Sequence, residues 1–174
     1  MSAENRSEEL TVIIMGSGGD EKHADVIAAV MQKFGVDYVK RVGSAHKTPK
    51  HVLGIVNKYD ALVDRRIAYI TVAGRADALS AFVDGASSNP VTAAPPYGEK
   101  YAGQDVLSSL RVPSGIGTAV CIEAEAAALH TIKIFALSNP KLRHALDEYH
   151  LQSALKVTSA DARMQVQNQT RGVE

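Results

Sequence analysis

Short apolar runs alternate with amphipathic stretches along most of the chain, and this alternation points to a fold class before any single residue does. Residues 10–15 (LTVIIM) form a β-branched apolar run that stops at a glycine cluster, as a buried strand of a parallel sheet should. Across 22–34, Ala24, Ile27, Ala28, Met31 and Phe34 fall on one helical face, and Gly35 stands where a helix C-cap is expected. Residues 37–42 read as a second strand. Thr48-Pro49 then supplies an N-cap and a proline at the first helical position, opening a helix that runs to about Tyr59. The pattern continues with a strand at 67–72 (IAYITV), a short helix at 78–84 and a short strand at 91–94 that runs into Pro95-Pro96.

Past a loop bearing Gly, Pro and Tyr, 104–110 reads as helical and 118–122 as a fifth strand. The alanine-rich segment 123–137 carries Leu129, Ile132, Ile134 and Phe135 and is predicted to be a well-buried helix, interrupted by Asn139-Pro140. A last helix over about 141–157 puts Leu142, Leu146 and Tyr149 on one face and Leu151 and Leu155 on another, so two packing partners are expected. The polar tail 158–174 has too little apolar surface to fold alone and is expected to fray or to wrap a neighbour. Alternating strands and helices imply an α/β fold, an open parallel sheet covered on both faces that binds ligands beyond the C-terminal ends of its strands. One domain over 1–157, including the C-terminal helix, is expected, followed by the tail.

Composition narrows the functional classes. A chain of 174 residues with 45% hydrophobic content can bury one core of ordinary size. Nineteen basic residues oppose 19 acidic ones, so no long-range field draws the chain to nucleic acid or to an anionic membrane, and any bound anion must be held locally. The single cysteine, Cys121, excludes an intrachain disulfide, and the polar start at 1–9 lacks the apolar run of a signal peptide. No apolar stretch approaches the roughly 20 residues of a membrane span. The cytoplasm is the expected compartment.

The candidate chemistry lies in the loops after the strands. Gly16-Ser17-Gly18-Gly19-Asp20 can converge backbone N–H groups on a phosphate at a helix N-terminus, although its spacing is neither the dinucleotide fingerprint nor the Walker sequence. A tight turn with Asp20 as N-cap is the plainer alternative. Ser44-Ala45-His46-Lys47 brings a hydroxyl, an imidazole and an ammonium to the same edge, where histidine can move a proton near neutral pH and lysine can pair with a phosphate. A solvated surface loop is the competing reading. Ala73-Gly74-Arg75-Ala76-Asp77 lets a ligand approach the backbone closely, with Asp77 able to cap the following helix and Arg75 able to be its exposed partner. Ala94-Pro95-Pro96 forms a stiff wall that suits a planar ring or a structural turn. Residues 104–117 are polar and glycine-bearing, as either a ligand or a buried subunit contact would require.

Together these loops resemble aminoimidazole ribonucleotide carboxylase over about 11–155. The most specific elements are Ser44-Ala45-His46-Lys47, Val72-Ala73-Gly74-Arg75 and the run QDVLSSLRVPSG at 104–115. Lysine after the histidine, and Ala-Gly-Arg after the third strand, look like the class II enzymes, since the class I mutases usually carry Ser-Ala-His-Arg and a different later loop. The resemblance implies a flavodoxin-like three-layer α/β/α sandwich with a central parallel sheet, assembled into a homo-octamer with active sites between subunits. It implies carboxylation of 5-aminoimidazole ribonucleotide by CO2 in purine biosynthesis, with no metal, no cofactor and no ATP. Carried over by position, Gly16, Ser17, Ser44 and Lys47 would hold the 5′-phosphate, Asp20 the ribose hydroxyls, and Ala73, Gly74 and Arg75 would line the imidazole and CO2 pocket. His46 would shuttle the proton. Two departures stand out: Gly19 replaces the serine usual before the aspartate, and Ala76-Asp77 replaces Ser-Asn. The alternatives are the class I mutase, which moves a carboxyl from N5 to C4 of the same nucleotide, and a non-catalytic nucleotide-binding module.

Overall fold

Five parallel strands, β1 (Glu9–Met15), β2 (Asp37–Val42), β3 (Arg66–Val72), β4 (Val91–Ala93) and β5 (Ala119–Val120), pair in the order β2-β1-β3-β4-β5 in a computed structural model that describes residues 7–171 and Val173. This is the flavodoxin-like order, and the chain reverses its direction of travel across the sheet between β1 and β3. The helices are α1 (Glu21–Lys33), α2 (Pro49–Asp60), α3 (Leu79–Ala86), α4 (Ala124–Ala136) and α5 (Pro140–Thr170).

The near-continuous apolar character of β1 and β3 follows from cover on both faces. Leu10, Val12 and Ile14 share one buried cluster with Ile67 and Tyr69, with Val52, Ile55, Val56 and Tyr59 of α2, and with Leu79 and Val83 of α3. The alternate residues of β1 point the other way, where the Thr11 hydroxyl meets Met31 Sδ of α1 at 3.3 Å. Tyr69, wholly buried, sets its hydroxyl 2.6 Å from Asp60 Oδ1, which Asn89 also reaches at 2.9 Å. Gly35 takes φ +68 just past α1, the left-handed conformation that ends a helix most easily with glycine.

Two expectations change. The helix predicted at 104–110 is a 3-10 turn, Gln104–Ser108, because Ala102 and Gly103 enter it in left-handed conformations and the Ser108 hydroxyl ties back 2.7 Å to the Asp105 carbonyl. The last helix, expected to end near 157, runs unbroken to Thr170. Alanine, glutamine and methionine sustain it, no glycine or proline intervenes, and Gln165 bonds Asp161 at 2.7 Å one turn away.

Residues to Phe135 form one compact unit and those from Ala136 another. Within the second, the Asn139 side chain caps α5 by accepting from the N–H groups of Lys141 and Leu142 at 3.0 and 3.2 Å, and Pro140, expected only to interrupt the preceding helix, opens the first turn of α5. Leu142 and Leu146 are buried, whereas Leu151 and Leu155 are exposed.

Candidate active site

In a sheet of this order ligands are expected at the C-terminal edge, where the strand order reverses between β1 and β3, and the first three candidate loops leave the sheet at that edge. Gly43 N–H donates to Met15 O and Gly16 N–H to Val72 O, both at 2.8 Å, so the loops leave β2, β1 and β3 side by side. A Cβ on Gly16 would stand 3.2 Å from that of Ala73, which shows how closely the first and third loops approach.

In the first loop, Gly18–Asp20 is a 3-10 turn leading into α1. The Asp20 carboxylate does not cap α1, as the plainer sequence reading had it. It folds back instead, and Oδ2 accepts from both the backbone N–H and the hydroxyl of Ser17 at 2.9 Å. One turn further on, His23 is half-buried, with Nε2 enclosed and unpartnered. Burial pushes this imidazole below its ordinary value, against the opposing pull of Glu123 and Asp20.

The second loop is tied by a residue whose role the sequence concealed. Thr48 precedes α2, but its hydroxyl makes no cap and turns to Ser44 instead, accepting from Ser44 N–H at 3.0 Å and lying 3.2 Å from Ser44 O. Ser44 Oγ in turn accepts Lys47 N–H at 3.3 Å. These bonds close a tight turn that leaves His46 and Lys47 exposed at the edge of the sheet.

The third loop meets the segment after β4. Arg75 adopts φ +62, a conformation that side chains disfavour, and is held there by its backbone. Its N–H donates to Asp105 Oδ2 at 2.9 Å, and its carbonyl lies 3.0 Å from Ser108 Oγ. Arg75, Ala76, Tyr101, Gln104, Asp105 and Ser108 line a cavity of about 450 Å3. Gln104 and Asp105 also line an adjoining, more apolar cavity of about 400 Å3, walled by Pro95, Pro96, Tyr97 and Ile122. Asp77 does cap α3: Oδ1 accepts from the N–H groups of Leu79 and Ser80 at 3.1 and 3.2 Å, and Oδ2 from the Ser80 and Ser109 hydroxyls at 3.0 and 2.8 Å. At 6% exposure this carboxylate is a buried anchor and not a charge beside Arg75.

The site as built thus offers hydroxyl, ammonium and backbone donors at this edge, an exposed imidazole, and a cavity beside Arg75. The first three of the loops singled out in the sequence share one edge. Asp105, Ser108 and Thr48 are the further participants, and the first two fall within the 104–115 run that carried the resemblance without having been given roles.

Comparison with known proteins identifies the family. A family model described as AIR carboxylase matches residues 10–156. A phosphoribosylaminoimidazole carboxylase of Treponema denticola is 43% identical over 155 residues, covering 89% of this chain and 97% of its own. One of Archaeoglobus fulgidus is also 43% identical, over 86% of this chain and 82% of its own. The crystal structure of Treponema denticola PurE superposes with a TM-score of 0.87 at 42% identity, covering 89% of this chain and 98% of that one.

Proposed function

This chain belongs to the AIR carboxylase family, a carboxy-lyase of purine biosynthesis, and we propose that it works in the class II manner, joining CO2 directly to 5-aminoimidazole ribonucleotide. The observation that carries the direct reaction is Ser44-Ala45-His46-Lys47, held in a closed turn at the C-terminal edge of β2, with Arg75 at the same edge after β3.

The substrate's ring is an enamine, so its C4 attacks CO2 without prior activation of either reactant. The new C–C bond draws electrons from the C4–C5 double bond, and the exocyclic nitrogen becomes an iminium. C4 now carries both its hydrogen and the new carboxylate. His46 removes that hydrogen as a proton, restoring the aromatic ring, and returns it in the reverse direction. Gly16, Ser17, Ser44 and Lys47 bind the 5′-phosphate, Asp20 the ribose, and Ala73, Gly74 and Arg75 enclose the ring and CO2. Holding CO2 against C4 and excluding water supplies the rest of the acceleration.

The working form is a cytoplasmic homo-octamer. The exposed apolar side chains Tyr97, Leu107 and Ile122 around the second cavity support sites completed by a neighbouring subunit. Among the described residues no helix is long and apolar enough to cross a membrane. Replacement of His46 by Asn tests the mechanism: nucleotide binding by calorimetry persists, while turnover falls by about 10²- to 10⁴-fold. Unchanged turnover would refute the assignment.

A further inference from the structure

Asp105 has a chemistry that fixing Arg75 does not exhaust. Its Oδ2 is committed to the Arg75 N–H, whereas Oδ1 accepts no hydrogen bond among the described residues, and the side chain borders both cavities. The backbone makes room for this carboxylate. A Cβ on Gly98 would stand 2.5 Å from Oδ2 and 3.1 Å from Oδ1, and one on Gly74 would stand 3.5 Å from Oδ2. Two loops therefore present bare backbone to an anion that has one oxygen anchored and the other open. Such a group is built to accept from an N–H donor that carries, or acquires, positive charge.

We propose that Asp105 is a catalytic residue whose Oδ1 accepts a hydrogen bond from the exocyclic amine of the aminoimidazole ring. The inference rests on the reading of Ala73, Gly74 and Arg75 as the ring pocket. In the resting substrate the amine is neutral. When C4 attacks CO2, the nitrogen lone pair moves into the ring and the C5–N bond becomes an iminium. The fixed carboxylate faces that new positive charge, and loss of the C4 proton to His46 then returns the nitrogen to a neutral amine. The interaction is strongest at the high-energy intermediate, which is the condition for it to speed the reaction instead of merely tightening binding.

The test compares wild type with Asp105→Asn, whose amide oxygen can still accept the Arg75 N–H. Each protein is titrated with aminoimidazole ribonucleotide and with imidazole ribonucleotide, which lacks the amine, and turnover is measured alongside. Wild type should prefer the amino nucleotide by about tenfold or more. In the variant the two nucleotides should bind nearly alike, and kcat should fall on the order of 10- to 100-fold. Unaltered binding of the nucleotide lacking the amine shows that the variant's site is intact. A variant with wild-type kcat and preference would overturn the role of Asp105 alone, and a wild type without turnover would overturn the reading beneath it as well. Should the variant not fold, equal affinity of wild type for the two nucleotides would itself overturn the proposal.

Discussion

Asp20 Oδ2 lies 2.9 Å from both the backbone nitrogen and the hydroxyl oxygen of Ser17, so the glycine loop already seats an anion of its own. In the proposed binding mode, a phosphate that takes the Ser17 donors displaces this carboxylate and frees it for the ribose. Asp20→Ala should therefore weaken nucleotide binding about tenfold through loss of one charge-assisted contact, without weakening binding of inorganic phosphate. Calorimetry with both ligands checks the pair, and parallel losses would show that Asp20 supports the phosphate seat itself.

Thr48 is the clasp of the His46 loop. Thr48→Val removes both of its bonds to Ser44 and should cost about 1 kcal/mol of stability while lowering kcat/KM severalfold, and Thr48→Ser should restore both. Urea midpoints and steady-state rates measure the two effects. A Val variant with unaltered kinetics would mean that the turn keeps its shape without the hydroxyl.

Asp77 should behave as a cap and not as a ligand. Asp77→Ala strips acceptors from the start of α3 and from Ser109, with an expected loss of about 2 kcal/mol, while the KM for nucleotide stays near wild type. A large rise in KM with little loss of stability would place the carboxylate at the ligand instead.

His23 gives a sign for pH dependence. Burial holds its folded value below the ordinary 6.5, so near that pH the unfolded chain binds a proton that the folded protein refuses. Stability should be greatest above pH 6.5, fall as pH drops through 6.5 toward the lowered folded value, and level off beneath it. The neighbouring Asp20 and Glu123 reduce this slope without reversing it. His23→Gln should flatten the curve of urea midpoints between about pH 5 and pH 7.5, and a curve unchanged by the substitution would remove His23 as its source.

The strands and the first helices were legible because their signals are local: β-branched runs broken by glycine, a helical apolar face closed by Gly35, and proline after Thr48. The edge of the sheet that carries the candidate loops followed from the order of elements. What stayed hidden was the destination of polar side chains, since Thr48 and Asp20 carry the composition of caps and only the folded loops show that both bond to serines instead. Asp105 and Arg75 are 30 positions apart, and no periodicity joins them. The segment 158–170 misled for a thermodynamic reason. Polarity argues against an independent core, but it does not stop a helix already started from continuing through good helix formers.

The most direct test of the central claim is turnover of purified protein with aminoimidazole ribonucleotide and bicarbonate in the absence of ATP, run beside the N5-carboxylated nucleotide and with His46→Asn as control in each arm. The class II reading predicts carboxylation of the free nucleotide, abolished in the control, with the N5 compound consumed no faster than it decays unaided. Preferential use of the N5 compound would contradict it and make the chain a mutase despite Lys47, and silence in both arms would leave a nucleotide-binding protein without this chemistry.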